Sequence, residues 1–91
     1  MFSGNNDSKT ITVTIKLFSG LNKEIQTEGY DPGKGMSLSI KKGSRLKGVL
    51  KGIGLKNLSS NAYFRSGERI GLWTKLRDGD EVSCLRPSGG G

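Results

Sequence analysis

Leu76-Arg77-Asp78-Gly79-Asp80-Glu81-Val82-Ser83-Cys84-Leu85-Arg86-Pro87-Ser88-Gly89-Gly90-Gly91 contains a turn, a strand and a tail in one uninterrupted run. The Asp-Gly-Asp segment is a tight turn, because Asp bonds locally to backbone and Gly reaches positive φ without a steric penalty. Glu81 to Arg86 then forms a last strand with Val82 and Cys84 on its inward face. Pro87 cannot continue a sheet ladder and directs the chain outward. Taken alone, Ser88-Gly89-Gly90-Gly91 would be a linker remnant, since Gly/Ser tails are flexible and carry no fold information. The strand ahead changes that reading, because it pins one end of an extended peptide that has no Cβ atoms and can thread a narrow channel.

The rest of the chain supplies the body that this strand completes. Thr10 to Phe18 alternates, with Ile11, Val13, Ile15 and Leu17 on one face and Thr10, Thr12, Thr14 and Lys16 on the other, which predicts a strand with one buried face. Ser19 to Gly35 loses the pattern apart from a possible helical turn at Leu21 to Ile25, and reads as a long connection with little core. Alternation returns in a second strand, where Met36, Leu38 and Ile40 face inward before Lys42-Gly43 ends the run. Ser44 stands as the expected N-cap of a helix whose Leu46, Val49, Leu50 and Ile53 form one apolar stripe, and Gly54 is its left-handed stop. Gly48 and Gly52 each cost that helix about 1 kcal/mol relative to Ala, so packing on a sheet must hold it. Ala62 to Arg65 is a short third strand ended by Ser66-Gly67, and Ile70 to Thr74, with Trp73, is a candidate fourth. One main helix packed across one face of a mixed four- to five-stranded sheet, an α+β arrangement, accounts for this order.

Composition sets the limits on chemistry. The 91 residues suffice for one small domain, here divided into a disordered N-terminal tail at 1–9, a folded part at 10–86 and a flexible glycine tail at 87–91. Apolar residues make up 32% and Gly fills 15 positions, so the core must be thin. Lys and Arg number 15 against 8 Asp and Glu, and the net charge of +7 favours an acidic partner. There is no His, which removes the usual general base and the commonest metal ligand, so neither a Ser or Cys triad nor a zinc site can be assembled. The single Cys84 excludes an internal disulfide, fits a reducing compartment and reads as a core residue of the last strand. No segment has the apolar length of a signal peptide or a membrane span, so a soluble, cytoplasmic protein is expected.

Other candidate sites are weak. Gly29-Tyr30-Asp31-Pro32-Gly33-Lys34-Gly35 has the wrong spacing for a phosphate loop and lacks the Ser or Thr that would hold magnesium. Asp78, Asp80 and Glu81 cluster as turn residues rather than metal ligands. Basic residues Lys41, Lys42, Arg45, Lys47 and Lys51 line the second strand and helix without an aromatic stacking run, so nucleic-acid binding is not expected. Phe64 and Trp73 are read as core or interface anchors.

Leu76 to Val82, a short strand, Pro87 and the terminal Gly90-Gly91 together resemble the end of the ubiquitin-like sulfur carriers MoaD and ThiS. Ile15-Lys16-Leu17-Phe18 followed by Leu21-Asn22-Lys23-Glu24 is similar to the first strand and following segment of MoaD. Lys42-Gly43-Ser44 with Leu46, Leu50 and Gly54 resembles the strand-to-helix passage of both. The resemblance implies a β-grasp (ubiquitin-like) fold and a carrier rather than an enzyme, with no catalytic, metal or cofactor residues of its own. It implies that Gly91 carries the carboxyl that an E1-like adenylyltransferase activates with ATP. A sulfurtransferase would then provide sulfur for a thiocarboxylate, which a large molybdopterin synthase subunit or a thiazole synthase would receive. Pro87, Ser88, Gly89 and Gly90 would thread the partner's active site. Chain length and the Leu17 to Glu24 segment favour MoaD. Two alternatives stay open: a ubiquitin-like modifier that forms isopeptide bonds through Gly91, and a basic nucleic-acid-binding module with an irrelevant tail.

Overall fold

The computed structural model describes residues 9–25, 30–31 and 33–87. Five strands, β1 (Thr10–Leu17), β2 (Met36–Lys41), β3 (Ala62–Arg65), β4 (Glu68–Ile70) and β5 (Glu81–Leu85), form one sheet in the order β2-β1-β5-β3-β4. β1 and β5 run parallel, from Thr14 opposite Glu81 to Leu17 opposite Cys84. The β1–β2, β3–β5 and β3–β4 pairs are antiparallel. One helix, α1 (Leu46–Gly52), makes the crossover between the first hairpin and the second half of the sheet.

The alternation predicted for β1 is obeyed: Ile11, Val13, Ile15 and Leu17 are buried and join Val82, Cys84, Leu46, Val49 and Leu50 in one core. Each fully buried aliphatic side chain removed from water contributes roughly 1.5–3 kcal/mol, so this stripe and the helix stripe facing it dominate the stability. Met36, Leu38 and Ile40 point the same way but remain half-buried, because β2 is an edge strand with one neighbour. Where β2 stops pairing, the Leu17 N–H donates to the Tyr30 hydroxyl at 2.7 Å, so the ladder continues through a side chain.

Several local expectations change. The 19–35 connection contributes more to the core than its lapsed pattern suggests, because a 3-10 turn at Leu21–Glu24 buries Leu21 and Ile25. Arg45, rather than Ser44, is the N-cap of α1, and no side chain caps the helix. The Ser44 hydroxyl instead donates to the Lys41 carbonyl. The first helical N–H groups of Leu46 and Lys47 donate to the carbonyls of Thr74 and Leu72 at 2.9 and 2.8 Å, so a distant backbone segment replaces the cap. The C-terminal stop is as expected: with Gly54 at φ 94°, its N–H donates to Lys51 and the Leu55 N–H to Leu50, the paired bonds of a Schellman ending. The fourth strand is Glu68–Ile70, entered through Ser66 and Gly67, both at positive φ, as a two-residue hairpin of primed type requires. Trp73 lies beyond it in a turn and is exposed, so it is not a core anchor. Among the described residues, no helix is long and apolar enough to cross a membrane. The predicted disordered tail falls almost wholly on residues outside the described set.

Gly35 stands at the most crowded backbone approach. Its φ is 80°, and a Cβ there would lie 2.9 Å from the Ile15 carbonyl oxygen and 2.8 Å from Lys16 Cγ. At Gly54 the φ is equally positive but a Cβ would meet open space. Gly54→Ala should therefore cost about 1 kcal/mol of unfolding free energy from backbone strain alone. Gly35→Ala should cost at least about 2 kcal/mol, since the clash is with backbone that cannot swing aside. Urea unfolding of the two variants measures the difference, and equal losses would contradict the close approach of Gly35 to β1.

Candidate functional site: the root of the glycine tail

β5 occupies the middle of the sheet, and its beginning is fixed before its end can be aimed. Asp78 Oδ1 accepts the Thr12 N–H at 2.8 Å, the Gly79 N–H donates to the Thr12 carbonyl at 2.8 Å, and the Thr14 N–H donates to the Asp80 carbonyl. Asp80 Oδ2 accepts from the Arg77 N–H and pairs with Arg65 Nη1 at 3.0 Å. The Asp-Gly-Asp run is therefore a turn, as its sequence implies, and also the clasp that sets the register of β5 against β1. Lys16 and Glu81 close an ion pair at 2.6 Å beside it. That pair is partly exposed and adds little to stability.

The strand ends one residue sooner than predicted, at Leu85. Its final rungs pair Cys84 with Leu17 on one side and Leu85 with Ala62 on the other, and the Phe18 N–H donates to the Cys84 carbonyl at 2.8 Å. Arg86 lies outside the ladder and is held by its side chain. Its Nε donates to Asn61 Oδ1 at 3.3 Å, and its Nη2 stands 2.8 Å from Glu24 Oε2. The second contact is an ion pair without the alignment of a hydrogen bond, and the other Glu24 oxygen is buried without a partner. Asn61 Nδ2 donates in turn to the Tyr63 hydroxyl, which donates to the Leu58 carbonyl. Three segments, the turn after β1, the turn before β3 and the end of β5, thus converge on the residue from which the tail departs.

Pro87 follows and is exposed. Ser88, Gly89, Gly90 and Gly91, the other residues expected to carry or deliver the reactive carboxyl, lie outside the described residues. Glu24, Asn61 and Tyr63 were not identified from sequence. The buried Asn61 just ahead of an apolar strand was the one available hint, since a polar side chain at such a place needs a partner. Among the described residues, no group of three or more His, Cys, Asp or Glu is placed to hold a metal ion.

Cys84 is fully buried near the end of β5, as its inward position predicts. Burial pushes its thiol up to about 12, which leaves almost no thiolate at neutral pH. Burial also pushes the Tyr63 phenol up, opposed by the hydrogen bond from Asn61 and the nearby charge of Arg86.

With this geometry the chain can be placed among known folds. Its structure is similar to the solution structure of the HVO 2177 protein of Haloferax volcanii, with a TM-score of 0.69 and 20% identity, over 91% of this chain and 89% of that one. It is also similar to the crystal structure of SAMP1 from Haloferax volcanii, with a TM-score of 0.62 and 18% identity, over 88% of this chain and 99% of that one. The fold is the ubiquitin-like β-grasp expected from the resemblance to the sulfur carriers. No protein-family model matches the sequence, and no curated protein matches it significantly.

Both raised groups make an alkaline test. Cys84 and Tyr63 hold their protons more tightly folded than unfolded, so the unfolded state binds fewer protons once pH exceeds the ordinary values of 9.0 and 10.0. Stability should be fully present below about pH 9 and fall as pH rises towards about 12, with the thiol accounting for a loss on the order of 3 kcal/mol. Urea midpoints across that range should show the decline. Cys84→Ala should start lower, because of its cavity, yet decline less steeply; an unchanged slope would remove the thiol from the account.

Proposed function

We propose that this protein is a ubiquitin-like sulfur carrier whose Gly91 carboxylate is activated by a partner enzyme and converted to a thiocarboxylate. The observation that supports this reading best is the anchoring of Arg86 by Glu24 and Asn61 immediately before the exposed Pro87. A fold that spends two turns fixing the root of a Ser-Gly-Gly-Gly segment presents that segment from a defined point. The segment itself has no side chain larger than that of Ser88 to obstruct passage into a partner's active site.

In this reading the chemistry of activation belongs to the partner enzymes. In the first step a Gly91 carboxylate oxygen attacks the α-phosphorus of ATP held by an E1-like adenylyltransferase. A P–O bond forms and pyrophosphate departs, leaving an acyl adenylate. In the second, a sulfur nucleophile supplied by a sulfurtransferase, hydrosulfide in the simplest case, adds to the acyl carbon and AMP leaves. The adenylyltransferase binds the ATP and stabilises the charge that develops in both steps. Glycine leaves the acyl carbon unshielded. The tail then delivers the thiocarboxylate to the acceptor, a large molybdopterin synthase subunit or a thiazole synthase, in the cytoplasm.

Incubation of the full chain with an E1-like enzyme from the same source, ATP and sulfide should increase its intact mass by the exchange of one oxygen for one sulfur. Deletion of Gly89, Gly90 and Gly91 should abolish the shift while leaving the circular dichroism spectrum and urea midpoint unchanged. Failure of every such enzyme of that source to adenylate or sulfurate the wild-type chain would end the carrier reading. Glycine remnants of the chain on lysines of other proteins would replace it with the protein-modifier reading.

A further inference from the structure

The helix side of the molecule carries a feature that tail chemistry does not use. Trp73, the one tryptophan in the sequence, has 66% of its surface exposed. It does not sit on a loosely held loop. Thr74 N–H donates to the Gly71 carbonyl, and Gly71 N–H donates to the Thr74 hydroxyl, each at 3.2 Å. Arg45 Nη1 donates to the Trp73 carbonyl at 2.7 Å, while the flanking Leu72 and Thr74 carbonyls accept the first N–H groups of α1. The Leu76 N–H closes the far side on the Ser44 carbonyl. An aromatic ring presented on so constrained a backbone loses little entropy when a partner covers it, and buried tryptophans are the residues most often found to dominate protein interfaces.

Next to Trp73, and joined to it through its chain neighbour Leu72 and through Lys47, is an open depression. Leu55, Leu58 and Leu72 contribute its apolar lining, and Lys47, Lys51 and Lys56 surround it. Lys47 belongs to both parts of the surface, since its Nζ lies 4.7 Å from the centre of the Trp73 ring. Among the described residues, no carboxylate lines the depression. Among the described residues, the ion pairs involve Lys16, Arg65 and Arg86 and none of these three lysines. Arg45 and Lys75, adjacent to the turn, are exposed as well. An apolar recess is thus flanked by three lysines that make no ion pair among the described residues, one of which also covers the exposed indole.

We propose that Trp73 and the Leu55–Leu58–Leu72 depression form a docking site for an acidic segment of a partner protein that inserts an apolar side chain between carboxylates. A projecting aliphatic or aromatic side chain would fill the recess, and flanking Asp or Glu residues would meet Lys47, Lys51 and Lys56. Charge complementarity of this kind raises association rates and fixes orientation, while the aromatic contact supplies affinity. The shape disfavours a bilayer, because the leucines line a concavity that a flat surface cannot enter. The position of the Lys47 ammonium over the indole disfavours a stacked nucleobase, which would compete for the ring. The depression is also coupled to the tail root, because the Leu58 carbonyl accepts the Tyr63 hydroxyl bond that continues through Asn61 to Arg86. A partner seated there would therefore touch the segment that orients the tail, although the docking itself does not depend on what happens at Gly91.

Selection of a displayed library of random short peptides on the immobilised full chain tests the proposal without knowledge of the partner. Enriched peptides should share an aliphatic or aromatic residue flanked by Asp or Glu, and the best of them, fluorescein-labelled, should bind in solution with an affinity that falls with added salt. Trp73→Ala, and separately Lys47→Glu combined with Lys51→Glu, should each weaken that peptide by at least about tenfold. The three changed residues are exposed or half-exposed, and circular dichroism is the check that each variant folds. No enrichment, enrichment of peptides without acidic residues, or binding unaffected by both variants would overturn the proposal. So would a change in Trp73 emission with phosphatidylglycerol vesicles or a single-stranded oligonucleotide but not with the selected peptide.

Discussion

The parallel pairing of β1 with β5 is the constraint from which the rest of the molecule follows. Parallel neighbours cannot be joined by a tight turn, so the chain between them must leave the sheet and return. In doing so it adds β2 to one side of β1, lays α1 across the face and contributes β3 and β4 beyond β5. The arrangement brings Ile15 and Leu17 opposite Val82 and Cys84, and all four are buried in the core beneath α1. It also places the end of the chain's last strand in the centre of the sheet, flanked on both sides. A strand at an edge could fray; this one is restrained by Leu17 and Phe18 on one side and by Ala62 and Tyr63 on the other.

That central position explains why short polar turns matter so much here. The Asp78-Gly79-Asp80 turn bonds to Thr12 and Thr14 of β1, which fixes the register of β5 against β1. A slip of one residue would turn Val82 and Cys84 towards solvent. At the opposite end Arg86 is restrained by Glu24 and Asn61. The functional reading depends on both ends: the turn determines where β5 lies, and the Arg86 contacts determine where the tail begins.

Much of this was legible in the sequence, for physical reasons that differ by element. β1 and the helix stripe were clear because burial on one face imposes a period that any reader can count, and Gly54 and Gly79 marked their turns because both hold positive φ. The 3-10 turn at Leu21–Glu24 was visible only in outline, since two buried residues in so short a stretch define no period. The true cap of α1 could not be found locally, because its acceptors are the carbonyls of Leu72 and Thr74. For Trp73 the sequence left core and interface open, and the core alternative falls because the backbone around it is occupied with helix capping and leaves the indole outside. Glu24, Asn61 and Tyr63 escaped notice because the network they form with Arg86 joins segments distant in sequence.

The buried thiol of Cys84 carries a consequence for where such a protein can work. A single cysteine invites the inference of a reducing compartment, yet this one contributes nothing to that argument. With its sulfur enclosed between β1, β3 and α1 and its acidity suppressed to about 12, the folded chain offers no thiolate for oxidation, mixed-disulfide exchange or disulfide-linked dimerisation. The folded chain is thus indifferent to thiol–disulfide exchange at Cys84, whichever side of a membrane it works on.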